Sequence, residues 1–229
     1  MSEARRGPVV TLDGPAGAGK TSTAKEVARR LGLRHLDSGA LYRALTFALL
    51  EAEVPEERWP ELSVEELRAL DVAQVGRGEG YEVRVGPRVV EDELRTPEVT
   101  SRVSVLARVP AVRECLLELQ RAAGAEGGLV ADGRDMGSVV FPDAEVKVFL
   151  VADLEERARR RLLQGGKGTE DGERVAAEAA AISSRDEQDA GREISPLRKP
   201  EGAVEIDTTG LAFEEQVDAI VSLVERLTD

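Results

Sequence analysis

Cysteine, histidine and aromatic side chains are scarce in this 229-residue chain, which has one Cys, one His, one Trp, two Tyr and four Phe. A lone cysteine forms no internal disulfide, so no cystine framework holds the fold. Cys115 lies in VRECLLEL, where the apolar residues recur at helical spacing, and reads as a buried core thiol. With aromatics at 3%, the core has to be built from Val, Leu and Ala. Such cores suit α/β folds, whose buried parallel strands read as aliphatic runs. Long apolar stretches are missing too. No run approaches the roughly 20 residues of a membrane span, and the opening MSEARRGPVV lacks the apolar stretch of a signal peptide. The expectation is a cytoplasmic, monomeric protein with no membrane partner. Net positive charge is also lacking. At −13 the chain repels a nucleic-acid backbone, which excludes polymer binding as the default.

What is present is 41% hydrophobic and 33% charged residues, the balance of a globular domain. PVVTLD (8–13) reads as a strand, STAKEVARRLG as a helix ending at Gly32, RHLD as a short strand and 38–53 as an apolar helix. That alternation is the signature of a parallel sheet with crossover helices. Residues 54–100 are more polar. YEVRV, the turn Gly86-Pro87 and RVVED read as an antiparallel hairpin, to which LDVAQV adds a third strand. This block reads as an insert, because it has too few apolar residues for a large core of its own. The rhythm returns with a helix from Pro110, strands at 128–132 and AEVKVFLVA, and the helix DLEERARRRLLQ. After a GGKG break, ERVAAEAAAISSRDEQDAGRE predicts a long helix, AVEIDTT a last strand and LAFEEQVDAIVSLVERL a closing helix.

GPAGAGKT fits G-x-x-x-x-G-K-[ST], and it follows an aliphatic strand and opens a helix. Gly14, Pro15, Ala16, Gly17, Ala18, Gly19, Lys20, Thr21 and Ser22 form the candidate ATP-phosphate site. Glycines let backbone N–H groups turn inward on phosphates, and the helix adds the positive end of its dipole. Lys20 would reach the β- and γ-phosphates, and the Thr21 hydroxyl would help hold Mg²⁺.

Three other clusters concentrate arginine in an acidic chain. LDSGALYR (36–43) and ADGRDMGSVVF (131–141) both follow predicted strand ends, the side of an α/β sheet where ligands bind. In RDEQDAGR, helical spacing puts Arg185, Asp189 and Arg192 on one face, and Arg157 shares a face with Arg161 upstream. Taken singly, helical Arg–Asp pairs are solvated surface pairs contributing about 0.2–0.5 kcal/mol. Beside a phosphate loop they suit a lid closing over a charged reaction centre.

GPAGAGKT, LDSGALYR, VADGRDMGSVVFPDAEVKVFL and SRDEQDAGR, in that order, resemble the bacterial cytidylate kinase family over nearly the whole chain. ADGRDMGSVVFPDA is the most specific stretch. The resemblance implies a P-loop α/β fold: a five-stranded parallel sheet flanked by helices, an antiparallel monophosphate-binding insert (about 54–99) and a short lid (about 165–172). The core would be about 1–53, 100–164 and 173–229. It also implies that Ser38, Arg43, Arg134 and Arg192 surround the CMP phosphate, Ser104, Arg113 and Asp135 face the cytosine, and Arg185 and Asp189 hold the ribose. Lys20, Arg134, Arg161 and Arg157 would serve the transferring phosphates. Asp132 would orient waters around the Mg²⁺ that arrives with ATP.

The chemistry agrees without the resemblance. Phosphoryl transfer needs positioning and charge neutralisation more than covalent help. A monophosphate, with a second pKa of about 6, is mostly ionised at neutral pH and attacks without a general base. The lone histidine, His35, precedes LDSG in a strand and reads as structural. Alternatives are an adenylate or uridylate kinase, or a GTP-dependent regulatory switch; the N-K-x-D motif usual in such switches does not occur.

Overall fold

The chain begins with β1 (Val9–Asp13), α1 (Lys20–Leu31), β2 (Arg34–Asp37), α2 (Ser38–Glu51), α3 (Val64–Arg68), β3 (Val72–Arg77), β4 (Gly80–Val85) and β5 (Arg88–Val89). It continues through α4 (Pro97–Leu106), α5 (Pro110–Gly124), β6 (Leu129–Gly133), β7 (Val146–Val151), α6 (Leu154–Gln164), α7 (Gly172–Ala190), β8 (Val204–Asp207) and α8 (Phe213–Thr228). This is a computed structural model in which residues 7–77 and 80–228 are described.

The aliphatic run VVTLD becomes the centre of the sheet, with every residue buried. β6 and β7 flank β1 in parallel, with β2 outside β6 and β8 outside β7. The parallel order is therefore β2-β6-β1-β7-β8. The chain reverses direction across the sheet at β1, which leaves a crevice beyond the carboxyl ends of β1 and β6. Local signals set the helix ends. α1 stops at Gly32, which takes the left-handed conformation (φ 63°). α3 opens with a reciprocal Ser63–Glu66 capping box, and α5 has Pro110 in its first turn.

Two apolar layers cover the sheet. α1 and α8 pack on one face around Val27, Val148 and Ile220. α2, α4 and α5 pack on the other around Leu45, Leu106 and Leu116, and the buried Cys115 belongs to this layer. Residues of the 54–99 stretch join the second layer. Trp59 is fully buried there, and its indole N–H donates to the Val54 carbonyl at 3.2 Å. Trp59→Ala is expected to lower stability by about 3–5 kcal/mol, the usual cost of deleting a buried indole. Urea denaturation checks this, and a loss below about 1 kcal/mol would mean that the stretch is not anchored through this residue.

Three features differ from expectation. β4 and β5 form the expected antiparallel hairpin and β3 pairs with β4 as its third strand, but β4 also pairs parallel with β2 at His35–Gly80, so this stretch joins the main sheet, which has eight strands among the described residues. Short helices at α3 and α4 fill stretches where the sequence suggested none, since β-branched PEVTSRVSVL is a weak helix former. The third difference is α7, which ends at Ala190 rather than running on through Arg192. Gly191 caps it, and Pro196 follows close behind. Among the described residues, no helix is long and apolar enough to cross a membrane. The first six residues of the expected core lie outside the described ones.

Candidate active site

The phosphate loop depends on glycine. Gly14 has φ +150°, and a Cβ there would run into the Leu150 carbonyl oxygen. Gly17 has φ +78°, and its Cβ would sit 3.0 Å from that of Arg157. α1 begins at Lys20 with no side-chain cap and no acidic residue in its first turn. Its leading N–H groups are thus left for an anion. Lys20 is 6% exposed, and its ammonium donates to the Pro15 carbonyl at 2.7 Å. Burial, with the Arg134 charge added, holds this ammonium well below the ordinary lysine range, while Asp132 and Asp186 pull the other way.

β6 delivers the opposite wall. Asp132, near its end, is 2% exposed. It accepts from the Thr21 hydroxyl at 2.6 Å on Oδ2, and His35 Nε2 lies 2.8 Å from Oδ1. The one histidine therefore holds a site carboxylate, a structural role beside the reaction centre. No group of three or more His, Cys, Asp or Glu that could hold a metal occurs among the described residues. The donor set fits a hard cation brought by nucleotide phosphates, with Thr21 and the Asp132 carboxylate supplying hard oxygens at its edge.

Beyond this wall lies a cleft of about 620 Å³ lined by Lys20 and seven arginines against four aspartates. In a chain of net charge −13, this is a local reversal of sign. Ser38 accepts from the Gln120 amide at 2.8 Å, and Arg43 donates to the Thr100 hydroxyl at 3.2 Å. Arg113 donates to Asp135 at 2.9 Å and to the Ala107 carbonyl at 2.8 Å, and sits over the Tyr42 ring. Burial pushes the Tyr42 hydroxyl up to about 12. Asp189 accepts from Arg134 at 2.9 Å and pairs with Arg192. Burial alone would raise its carboxyl, but Arg134, Arg192 and Arg185 together bring it below the usual range. Burial, reinforced by Arg134 and Arg43, pushes Arg185 down to about 9. Its Nε has no partner among the described residues. These guanidinium groups are crowded and partly desolvated, a state that a bound polyanion relieves.

Every residue expected at the acceptor lines this cleft: Ser38, Arg43, Ser104, Arg113, Arg134, Asp135, Arg185, Asp189 and Arg192. Arg161 lines it as well and pairs with Glu178 at 2.9 Å. Arg157 does not face it. This side chain is buried behind the loop, donating to the Ala16 and Ala152 carbonyls and pairing with Asp186. One helical turn separates Arg157 from Arg161, but α6 rotates the former into the core. In the loop, Ala16, Gly17, Gly19, Lys20, Thr21 and Ser22 line the cleft, while Gly14, Pro15 and Ala18 shape the turn.

Several participants escaped the sequence reading. Asp37 caps α2 by accepting from Ala40 N–H at 3.0 Å and lines the cleft, and burial together with Asp132 raises its carboxyl. Its position before Ser-Gly-Ala is an N-cap signal. Asp186 accepts the Ala16 N–H at 2.8 Å, a contact across 170 positions that local pattern does not reveal. Arg95 and Thr100 come from the weakly patterned stretch around the insert. Asp13 is fully buried, and burial pushes its carboxyl up to about 7 against the two N–H groups that hold it down.

A central strand feeding a glycine loop, opposed by an arginine-lined cleft at the sheet's carboxyl edge, defines a phosphate-loop kinase of small molecules. Residues 10–226 match the family model described as Cytidylate kinase, and the chain belongs to that family. It is 47% identical over 221 residues to the cytidylate kinase of Pseudomonas fluorescens, covering 95% of each chain. It is 44% identical over 225 residues to that of Carboxydothermus hydrogenoformans, covering 96% of this chain and 98% of the other. Among solved structures, an uncharacterized protein from Eubacterium ventriosum shares the fold, with a TM-score of 0.51 at 11% identity over 96% of this chain and 99% of the other.

Proposed function

We propose that this protein transfers the γ-phosphoryl group of Mg·ATP to CMP, and to dCMP, by in-line displacement. The observation that carries this reading is the gathering of seven arginines with Lys20 in one cleft of an acidic chain. A triphosphate and a monophosphate meeting end to end require such a concentration of positive charge. In this reading the loop N–H groups and Lys20 hold the donor phosphates. Arg43, Arg134 and Arg192, with Ser38, hold the acceptor phosphate. Arg161 neutralises charge that develops on the transferring group. Arg157 acts by bracing the loop rather than by touching phosphate. Thr21 would hold Mg²⁺, with Asp132 orienting its waters, and the ion would supply charge neutralisation to the donor phosphates. The acceptor phosphate is already ionised, so no residue has to take a proton.

Asp135 and Arg113 pair at 2.9 Å in the lining of the cleft, giving one acceptor and one donor edge. Cytosine offers an amino donor to the carboxylate, and uracil offers a carbonyl there instead. Asp135→Ala is expected to erode the CMP-over-UMP preference by roughly 5–150-fold, equivalent to the 1–3 kcal/mol of a buried mismatch, while affinity for ATP changes less. Comparing kcat/KM on the two monophosphates checks this, and equal losses on both would count against the assignment. Because Arg113 would lose a buried partner, Asp135→Asn is the companion variant.

The 54–99 stretch serves as the monophosphate-binding insert and 165–172 as the lid, and the enzyme works as a cytoplasmic monomer on small nucleotides. Initial rates with Mg·ATP and each of CMP, dCMP, UMP and AMP test the substrate assignment. CMP and dCMP are expected to lead; a lead for AMP or UMP would overturn it.

A further inference from the structure

Asp13 ends β1 and is the last residue before the phosphate loop. It is fully buried, and both carboxylate oxygens are in use. Met136 N–H donates to Oδ1 and Gly137 N–H to Oδ2, each at 2.8 Å. Those donors open the π-helical turn Met136–Val140, which directly follows Asp132, Arg134 and Asp135. The ladder between β1 and β6 stops at Asp13–Gly133, so the carboxylate carries the connection one step past the sheet. The space around it is closed. A Cβ on Gly137 would lie 2.7 Å from the Thr11 hydroxyl oxygen and 3.3 Å from Asp13 Oδ2, and one on Gly133 would lie 2.9 Å from Met136 Cγ. Glycine at both positions lets the turn come down onto the carboxylate.

No step of the transfer uses Asp13 as base or ligand. Its place in the fold gives it a different part: it fastens the segment bearing Asp132, Arg134 and Asp135 to the strand that launches the donor loop. We infer that Asp13 is a positioning residue that sets the register between the two halves of the reaction centre, and through Asp135 the discrimination between bases. This rests on the assignment of the cleft to CMP. The two bonds call for a carboxyl group. Two N–H donors need two acceptors, and the near-isosteric amide of asparagine offers one acceptor and one donor, which turns one bond into an N–H facing an N–H.

The test is Asp13→Asn, with folded fraction measured by circular dichroism and gel filtration. KM for CMP is expected to rise about tenfold, the CMP-over-UMP ratio of kcat/KM to fall by a similar factor, and KM for ATP to stay within about twofold. Equal changes for CMP and UMP, or a parallel rise in KM for ATP, would overturn the inference, since a purely structural role moves all constants together. If the variant does not fold, amide hydrogen exchange on the unsubstituted, nucleotide-free protein decides. The Met136 and Gly137 amides are expected to exchange as slowly as those of β1. Exchange at the rate of exposed loops would contradict the link. Failure of the unsubstituted protein to phosphorylate CMP would defeat the functional reading instead, and the exchange experiment would still decide whether Asp13 ties the two segments.

Discussion

Replacing Lys20 with methionine is expected to cut turnover by about a thousandfold while the protein stays folded, the upper end of what removal of one preorganised electrostatic group costs. Three observations make the effect large. Lys20 is 6% exposed, so its charge acts where water screens little. It opens α1, so it works alongside the free N–H groups of that helix. Its ammonium donates to the Pro15 carbonyl of its own loop, and burial disfavours its charge there. Asp132 and Asp186 offset that penalty only in part, so the charge is poised for a stronger anionic partner. Methionine matches the length and has good helix propensity, so α1 keeps its first turn. It also removes a buried charge, and stability is expected to hold or rise. Steady-state rates and thermal unfolding together check the result: near-normal turnover in a folded variant rejects the role.

The second large effect is expected at Asp132. Asp132→Asn keeps the shape but removes the carboxylate that accepts from Thr21 at 2.6 Å and faces His35 Nε2 at 2.8 Å. The amide oxygen can still accept from Thr21 and the amide N–H can face His35 Nε2, so what the substitution removes is the negative charge. The loss also removes the strongest negative influence favouring protonated Lys20. Turnover is expected to fall by about 10²–10³, the usual cost of an oriented charge at a phosphoryl-transfer site. The Mg²⁺ concentration giving half the maximal rate is expected to rise, with KM for CMP little changed. A rate loss with unaltered Mg²⁺ dependence would place Asp132 outside the metal's surroundings.

Much of this site is legible in the sequence, for identifiable reasons. The strand PVVTLD, the glycine loop and α1 are contiguous, so motif and context confirm each other locally. Arg185 and Asp189 are four apart on α7, and helical periodicity alone puts them on one face. Periodicity fails where an element ends or turns. Gly191 stops α7 before Arg192, which reaches Asp189 from beyond the helix. On α6, the spacing that groups Arg157 with Arg161 says nothing about which of them faces the loop. Asp186, Asp13 and the pairing of β4 with β2 stay hidden because each depends on contacts between distant segments. His35, read as structural, holds Asp132 because β2 and β6 are neighbours, a fact of topology rather than of local pattern.

The most direct measurement is a calorimetric titration with a bisubstrate ligand, adenosine and cytidine joined through five phosphates. If donor and acceptor meet over Lys20 among the arginines of one cleft, this ligand is expected to bind about 10²–10⁴-fold more tightly than ATP alone and to exclude both ATP and CMP. Affinity no better than that of ATP, or displacement of ATP while CMP still binds, would contradict a shared cleft.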